Sequence, residues 1–186
     1  AGLPTKKIVG MAGLLDNSRF SYFIANEIGC DHRDVKSWVI GDHGDHLVPV
    51  ISHTTISDIP ITQCLSQKQI ADVCRRTRSA GTQIVNYLQQ GSAFYAPGMA
   101  VTRMLKSIIH ESDEAIPCSV YLNGEYGVNG LVAGVPVKLS KCGVEEIIEM
   151  DISEDESRSF KGAIGFIRET NRSMLRLMPS MMSEVL

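Results

Sequence analysis

No stretch of this 186-residue chain is apolar for more than a few residues at a time, far below the roughly 20 that a membrane-spanning helix needs. The amino end lacks the layout of a signal peptide, so a cytoplasmic or organelle-matrix location is expected. A cationic excess is missing too: 18 Lys plus Arg stand against 21 Asp plus Glu, a formal charge of -3 with a pI near 6.0. Nothing in that balance favours neutralising a phosphate backbone or docking on an anionic bilayer, so neither nucleic acid nor a membrane is expected as a partner. The five scattered cysteines, Cys30, Cys64, Cys74, Cys118 and Cys142, include no C-x-x-C pair, which argues against a disulfide framework or a zinc ribbon and for reduced, mostly packed thiols. Internal repeats, low-complexity tracts and long Pro/Gly/Ser linkers are also missing. What is present, with 44% hydrophobic residues, is the profile of one compact soluble domain. The chain starts at Ala1 and runs directly into structured sequence, and the expectation is that it is part of a longer protein.

Hydrophobic spacing predicts a helix from Asn17 to Ile28 stopped by Gly29, strands over Val35 to Ile40 and Leu47 to Ile51, and a turn between them from Gly41 to His46. A long amphipathic helix is predicted from Gln67 to Leu88, bent near Ala80 and Gly81 because glycine is a weak helix former. Another opens at Pro97 and runs through Ile109. Cys118 to Leu122 and Val135 to Leu139 read as strands joined by the glycine-rich turn Gly124 to Gly130, with a third strand over Gly143 to Met150. Ser153 and Glu156 form a capping-box signature ahead of Phe160, Ile164, Ile167, Met174, Leu175 and Met178 at helical spacing. The acidic start of that segment (Glu154, Asp155, Glu156) and its basic later half (Arg168, Arg172, Arg176) suit the helix dipole and are assigned to a solvated face. Helices interspersed with short antiparallel strands make the expected class α+β.

Three segments carry chemistry. In Gly41-Asp42-His43-Gly44-Asp45-His46 a histidine stands between two glycines, where the backbone bends sharply and the imidazole stands clear of its neighbours. An incidental histidine in a polar connection fits the same residues, as does a metal bound by His43 and His46 with a flanking aspartate, although one turn supplies no obvious further donor. In Leu15-Asp16-Asn17-Ser18-Arg19-Phe20, Asp16 reads as the helix N-cap and Arg19 as a first-turn cation, which the helix dipole disfavours unless an anion offsets it. A spacing of three places Asp16 and Arg19 on one side of the helix, and a guanidinium can grip a planar carboxylate with paired hydrogen bonds. If His43 folds over that side, an acid/base group, its orienting carboxylate and a carboxylate clamp converge on one small substrate. The third segment, Gly91 to Gly98, mixes small residues with aromatics, which suits a flat ligand and a helix-to-helix corner equally.

Taken in order, LDNSRF, GDHGDHLVP, RTRSAGTQIVNYLQQGSAFYAP and PCSVYLNGEYGVNGLVAGVPV resemble the 2-hydroxy-acid dehydrogenases of the lactate/malate dehydrogenase family, most of all the malate dehydrogenases of the lactate-dehydrogenase-like bacterial type. The resemblance implies the carboxy-terminal catalytic domain of that family over residues 1–186, with mostly antiparallel sheets packed against long helices. It implies NAD as cofactor, malate and oxaloacetate as substrate and product, and a homodimer or homotetramer. It further implies His43 as proton donor and acceptor, Asp16 as its orienting partner, Arg19 as the carboxylate clamp, Ala93 against the substrate, and Met11 and Pro97 near the nicotinamide, with no metal. The sequence contains no G-x-G-x-x-G, so a Rossmann nucleotide-binding half is expected outside this chain. Lactate oxidation shares every residue so assigned. A metal-dependent hydrolase built on Asp42, His43, Asp45 and His46, and a non-catalytic assembly domain, are the readings from other classes.

Overall fold

A computed structural model describes residues 2–177. The first helix, α1 (Ala12–Ile28), buries Leu14, Leu15, Phe20, Ile24 and Ala25, so one apolar stripe continues through the whole element. It ends at Gly29, whose φ of 79° allows its N–H to close on the Ala25 carbonyl. The helix begins five residues before the predicted Asn17, because Leu14 and Leu15 extend the buried stripe backwards.

The predicted strand over Val35 to Ile40 is two strands in two sheets. The first, β1 (Val35–Lys36), pairs with β4 (Thr55–Ile56), which also pairs with β5 (Ile59–Pro60). The second, β2 (Val39–Gly41), pairs with β3 (Leu47–Pro49) and belongs to the larger sheet. Between them Ser37 is buried, and its hydroxyl donates to Asn17 Oδ1 and meets Ser21 Oγ at 2.7 Å. These ties to α1 carry the chain from one sheet to the other, which strand propensity alone does not reveal.

A single-turn helix, α2 (Ile61–Cys64), precedes α3 (Gln67–Leu88), which starts on a Ser66/Gln69 capping box and matches its predicted limits. It continues through Ala80 and Gly81 as one helix. The next, α4 (Tyr95–His110), starts two residues before Pro97, where a first-turn proline needs no intrahelical N–H partner. Strand β6 (Ile116–Asn123) and the 12-residue β7 (Asn129–Ser140) form the long hairpin, and β8 (Gly143–Ile147) folds back on the end of β7. The larger sheet has the order β3-β2-β7-β6, β8 pairs β7, and every pairing is antiparallel.

The last described element is α5 (Glu154–Leu177); Met178 lies outside the described residues. Two apolar clusters result. One packs the larger sheet against Leu14 and Leu15 of α1, Ala100 and Met104 of α4, and Phe160, Ala163 and Ile164 of α5. The other gathers Phe20, Ile24, Val39, Leu47, Ile61 and Val73. Helix α1 therefore serves both. Of the cysteines, Cys118 is fully buried and its thiol pKa is pushed up to about 12 by desolvation, while Cys142 is exposed.

One assignment needs correction. Glu154 and Asp155 are exposed, but Glu156 is only 8% exposed. Its carboxylate accepts from Ser52 N at 2.9 Å and Ser52 Oγ at 2.6 Å, just beyond β3, as well as closing the capping box through Ser153 N at 2.8 Å. Burial pushes its pKa up, and the hydrogen bonds from Ser52 and Ser153 outweigh this and leave the carboxyl below its ordinary value. A depressed carboxyl pKa contributes stability above the unfolded-state value that is lost as pH falls through the folded one. Glu156→Gln is expected to destabilise the chain at pH 7 by about 1.5 to 3 kcal/mol, the range for hydrogen bonds to a charged group, with the gap narrowing in acid. Urea denaturation of both proteins at neutral and acid pH checks this, and a gap independent of pH would assign the residue a purely steric role.

Candidate active site

Strands β2 and β3 pair Gly41 with Leu47, and the chain between them forms a tight turn closed by Leu47 N–H on the Gly44 carbonyl at 3.2 Å. Two positions require glycine. Gly41 has φ 92° and a Cβ there would stand 3.1 Å from Ala163 Cβ of α5, while Gly44 has φ 112°. The turn so shaped lifts His43 away from the sheet, its side chain 53% exposed.

Opposite it, α1 supplies Asp16, only 2% exposed. Its Oδ2 meets His43 Nδ1 at 2.5 Å and its Oδ1 accepts from Arg19 NH1 at 2.9 Å. The helical spacing of three brings Asp16 and Arg19 together, and His43 folds onto the same side. The carboxylate raises the imidazole pKa above its ordinary value, chiefly through the hydrogen bond; partial burial and Arg19 oppose this, and the Asp16 and Asp42 charges reinforce it. With Nδ1 engaged, His43 Nε2 has no hydrogen-bond partner among the described residues, which leaves it available for proton exchange.

Two readings of this segment change. Asp16 is not the N-cap of α1, a position held by Met11 without a side-chain cap bond. Arg19 consequently lies beyond the first turn, and the dipole cost does not apply. Its charge is offset by Asp16, while its buried Nε has no hydrogen-bond partner. With Nε closed off and NH1 bonded to Asp16, the remaining guanidinium N–H groups are the ones that an anionic ligand in the adjoining cavity would meet.

Met11, Asp16, Arg19, His43, Ala93 and Pro97 line one cavity of about 780 Å³. All six residues singled out in the sequence therefore share one space, although they come from α1, the β2-β3 turn, the segment before α4 and α4 itself. The same cavity includes residues that sequence reasoning passed over. Arg78, Gly81, Thr82 and Val85 form its α3 wall, and their spacing along one helix face was the signal that could have found them. Arg78 Nε donates to the Leu47 carbonyl at the end of the turn, and Gly81 stands where a Cβ would lie 3.7 Å from Arg19 NH1. Phe166 of α5 also reaches the cavity, a long-range placement without a local signal. Of the residues in the metal reading, His43 is bonded to Asp16 and the His46 ring stacks on Phe166, and among the described residues no group of three or more His, Cys, Asp or Glu is placed to hold a metal ion.

The model of the lactate/malate dehydrogenase alpha/beta C-terminal domain matches residues 14–173. The chain belongs to the lactate/malate dehydrogenase family. It is 42% identical over 178 residues to a malate dehydrogenase of Chlorobium phaeobacteroides, covering 96% of this chain and 57% of that relative. Among solved structures, malate dehydrogenase from Salinibacter ruber superposes with a TM-score of 0.92 at 40% identity, covering 96% of this chain and 58% of that one. Lactate dehydrogenase from Cryptosporidium parvum, complexed with lactic acid and β-nicotinamide adenine dinucleotide, gives 0.90 at 34% identity over 92% of this chain and 56% of that one. The chain thus spans a little over half the length of these members of the family, and its α+β architecture is that of their carboxy-terminal domain.

Because the Asp16 bond favours the protonated imidazole, the pair contributes stability that is complete below the unfolded histidine pKa and is lost as pH rises through the elevated folded value. Asp16→Asn is expected to move the His43 titration downward, since the charged acceptor is gone. Imidazole NMR across neutral pH reads this directly; an unmoved titration would reduce Asp16 to a packing residue.

Proposed function

We propose that this chain is the catalytic and substrate-binding domain of an NAD-dependent malate dehydrogenase. The observation that carries this reading is the single Asp16 carboxylate that engages His43 with one oxygen and Arg19 with the other on the wall of one cavity. Arg19 grips the carboxylate next to the reacting carbon through the guanidinium N–H groups that are not committed to Asp16. His43 Nε2 takes the C2 hydroxyl proton in malate oxidation and returns it in oxaloacetate reduction. Asp16 holds the imidazole tautomer and stabilises its cationic form. Ala93 limits the space beside the substrate.

The residues present suit the nicotinamide end of the cofactor: Met11 and Pro97 are uncharged surfaces in the cavity that holds His43. NAD, when bound, supplies the hydride acceptor for C2. A pyrophosphate needs a glycine-rich turn at a helix amino terminus, and with no G-x-G-x-x-G in this sequence we assign that grip to a Rossmann half elsewhere in the protein. The preference for malate over lactate rests on the 42% identical relative; the lactate dehydrogenase likeness keeps lactate as the second reading. Exposed Tyr22, Tyr87 and Met99 border an apolar cavity between α1, α3 and α4, a surface suited to burial in a homodimer or homotetramer.

In the full-length protein, His43→Asn is expected to cut turnover by roughly a hundredfold or more while NADH affinity holds, and near-normal turnover would remove His43 from the mechanism. Oxidation needs the neutral imidazole and reduction the protonated one. The raised His43 pKa therefore makes oxidation climb and reduction decline as pH passes through a value higher than that of an unperturbed histidine; identical profiles for the two chemical steps would refute the assignment. Arg19→Lys keeps the charge but loses the paired geometry, and a large fall in kcat/KM for the hydroxy acid is expected with NADH binding little changed. Residues 1–186 alone are expected to show no NAD-dependent oxidation of malate or lactate and weak NADH binding, with turnover restored by the nucleotide-binding part in cis or trans. Steady turnover by the chain alone would place the nucleotide site within it.

A further inference from the structure

The turn that carries His43 is secured at its base by the β2-β3 pairing and on one flank by the Asp16 bond. Its other flank meets α5. That helix is seated on the strands behind the turn: Ala163 stands against Gly41 at the end of β2, and a further contact binds Glu156 to Ser52, beyond the end of β3 away from the turn. Three residues beyond Ala163, and so on a neighbouring part of the same helix face, Phe166 stacks on His46, with ring centroids 4.2 Å apart and an interplanar angle of 32°.

Phe166 is 46% exposed and is not a member of either core cluster. Its place is at a boundary. It lines the 780 Å³ cavity that contains His43 and also a second space of about 250 Å³ bordered by Gly41, Asp42, Ser119, Thr170 and Asn171. The turn therefore has open volume on this flank rather than packed side chains, and its two positive-φ glycines give it little stiffness of its own. We propose that His46 and Phe166 form an aromatic brace that holds the Asp42-to-His46 turn on α5 and so fixes His43 against Asp16. Both are positioning residues: they act on the reaction through His43, and the inference rests on the reading of His43 as the proton-transfer group.

The groups that set the His43 titration are Asp16 and Arg19 from α1 and Asp42 in the turn; Asp45 and His46 of the turn and Arg78 of α3 share its cavity. From α5 the adjoining residues are Phe166, Ile167, Thr170 and Asn171, none of which titrates. This makes the sign of the test informative. Loosening the His43 to Asp16 bond lowers the His43 pKa, whereas a change that leaves the bond intact does not.

The experiment is imidazole NMR titration of the 186-residue chain carrying His46→Ala, Phe166→Ala or His46→Phe. The expected result is a downward shift of the His43 titration in each alanine variant, no further shift when the two are combined, and wild-type titration in His46→Phe, which keeps the aromatic stack. In the full-length enzyme the alanine variants are expected to lose about tenfold or more in kcat with a smaller change in KM for the hydroxy acid, as misplacement of a catalytic group predicts, and His46→Phe to retain activity. An unmoved or upward-shifted His43 titration in His46→Ala, or equal shifts in His46→Ala and His46→Phe, would overturn the brace. His46 is exposed, so His46→Ala carries the test even if Phe166→Ala fails to fold. The titration needs no turnover, so a wild-type enzyme without dehydrogenase activity that shows these shifts would sink the functional proposal and leave the brace standing.

Discussion

A carboxylate that is 2% exposed and bonded to a histidine on one oxygen and an arginine on the other organises the cavity side of this molecule. An isolated buried charge would be costly, and the Arg19 cation together with the His43 hydrogen bond makes Asp16 tolerable where it is. The dependence runs both ways. Arg19 is only 13% exposed and its Nε has no acceptor, so without Asp16 it would be a nearly buried and uncompensated cation. His43, half-exposed on a glycine-bounded turn, has its strongest orienting bond to the same carboxylate. Proton transfer and carboxylate recognition, as proposed, thus share one anchor, and a shift of that anchor would disturb both.

The scaffold explains why the anchor stays in place. Helix α1 puts Leu14 and Leu15 into one apolar cluster and Phe20 and Ile24 into the other, so Asp16 and Arg19 sit on the element that joins the two. The turn is fastened by the β2-β3 pairing and approached from the far side by α5, itself tied down through Glu156 to Ser52. Helix α3 closes the cavity with Arg78 on the Leu47 carbonyl and a glycine beside the Arg19 guanidinium. The proposed site is built by rigid helices around a short turn, the arrangement that keeps reacting groups near their productive geometry.

Local sequence carried much of this. Gln67–Leu88 is a helix with the limits its periodicity predicts, Gly29 stops α1, and the Ser153/Glu156 capping box opens α5, because caps and apolar spacing act within a few residues. The pairing of Asp16 with Arg19 is equally local, a spacing of three on one helix. The four motifs together indicated the family, and the match over residues 14–173 shows it. Asp16 has the chemistry of a cap but not the position of one, because the buried stripe of α1 continues upstream through Leu15 and Leu14.

What the chain determined by itself was therefore the identity and local setting of each chemical group: the flanking glycines, the helical spacing, the capping boxes and the family motifs. Tertiary structure decided which groups meet. The Asp16 to His43 bond spans 27 residues and the Ser52 to Glu156 bond 104, and His46 faces Phe166 across a comparable gap. The sheet change at Ser37, the burial of Glu156 and the α3 wall of the cavity were decided in the same way. The physical reason is that a side chain's charge and conformational preference are properties of its own residue and near neighbours, whereas its partner and its solvation are set only when distant elements pack and exclude water.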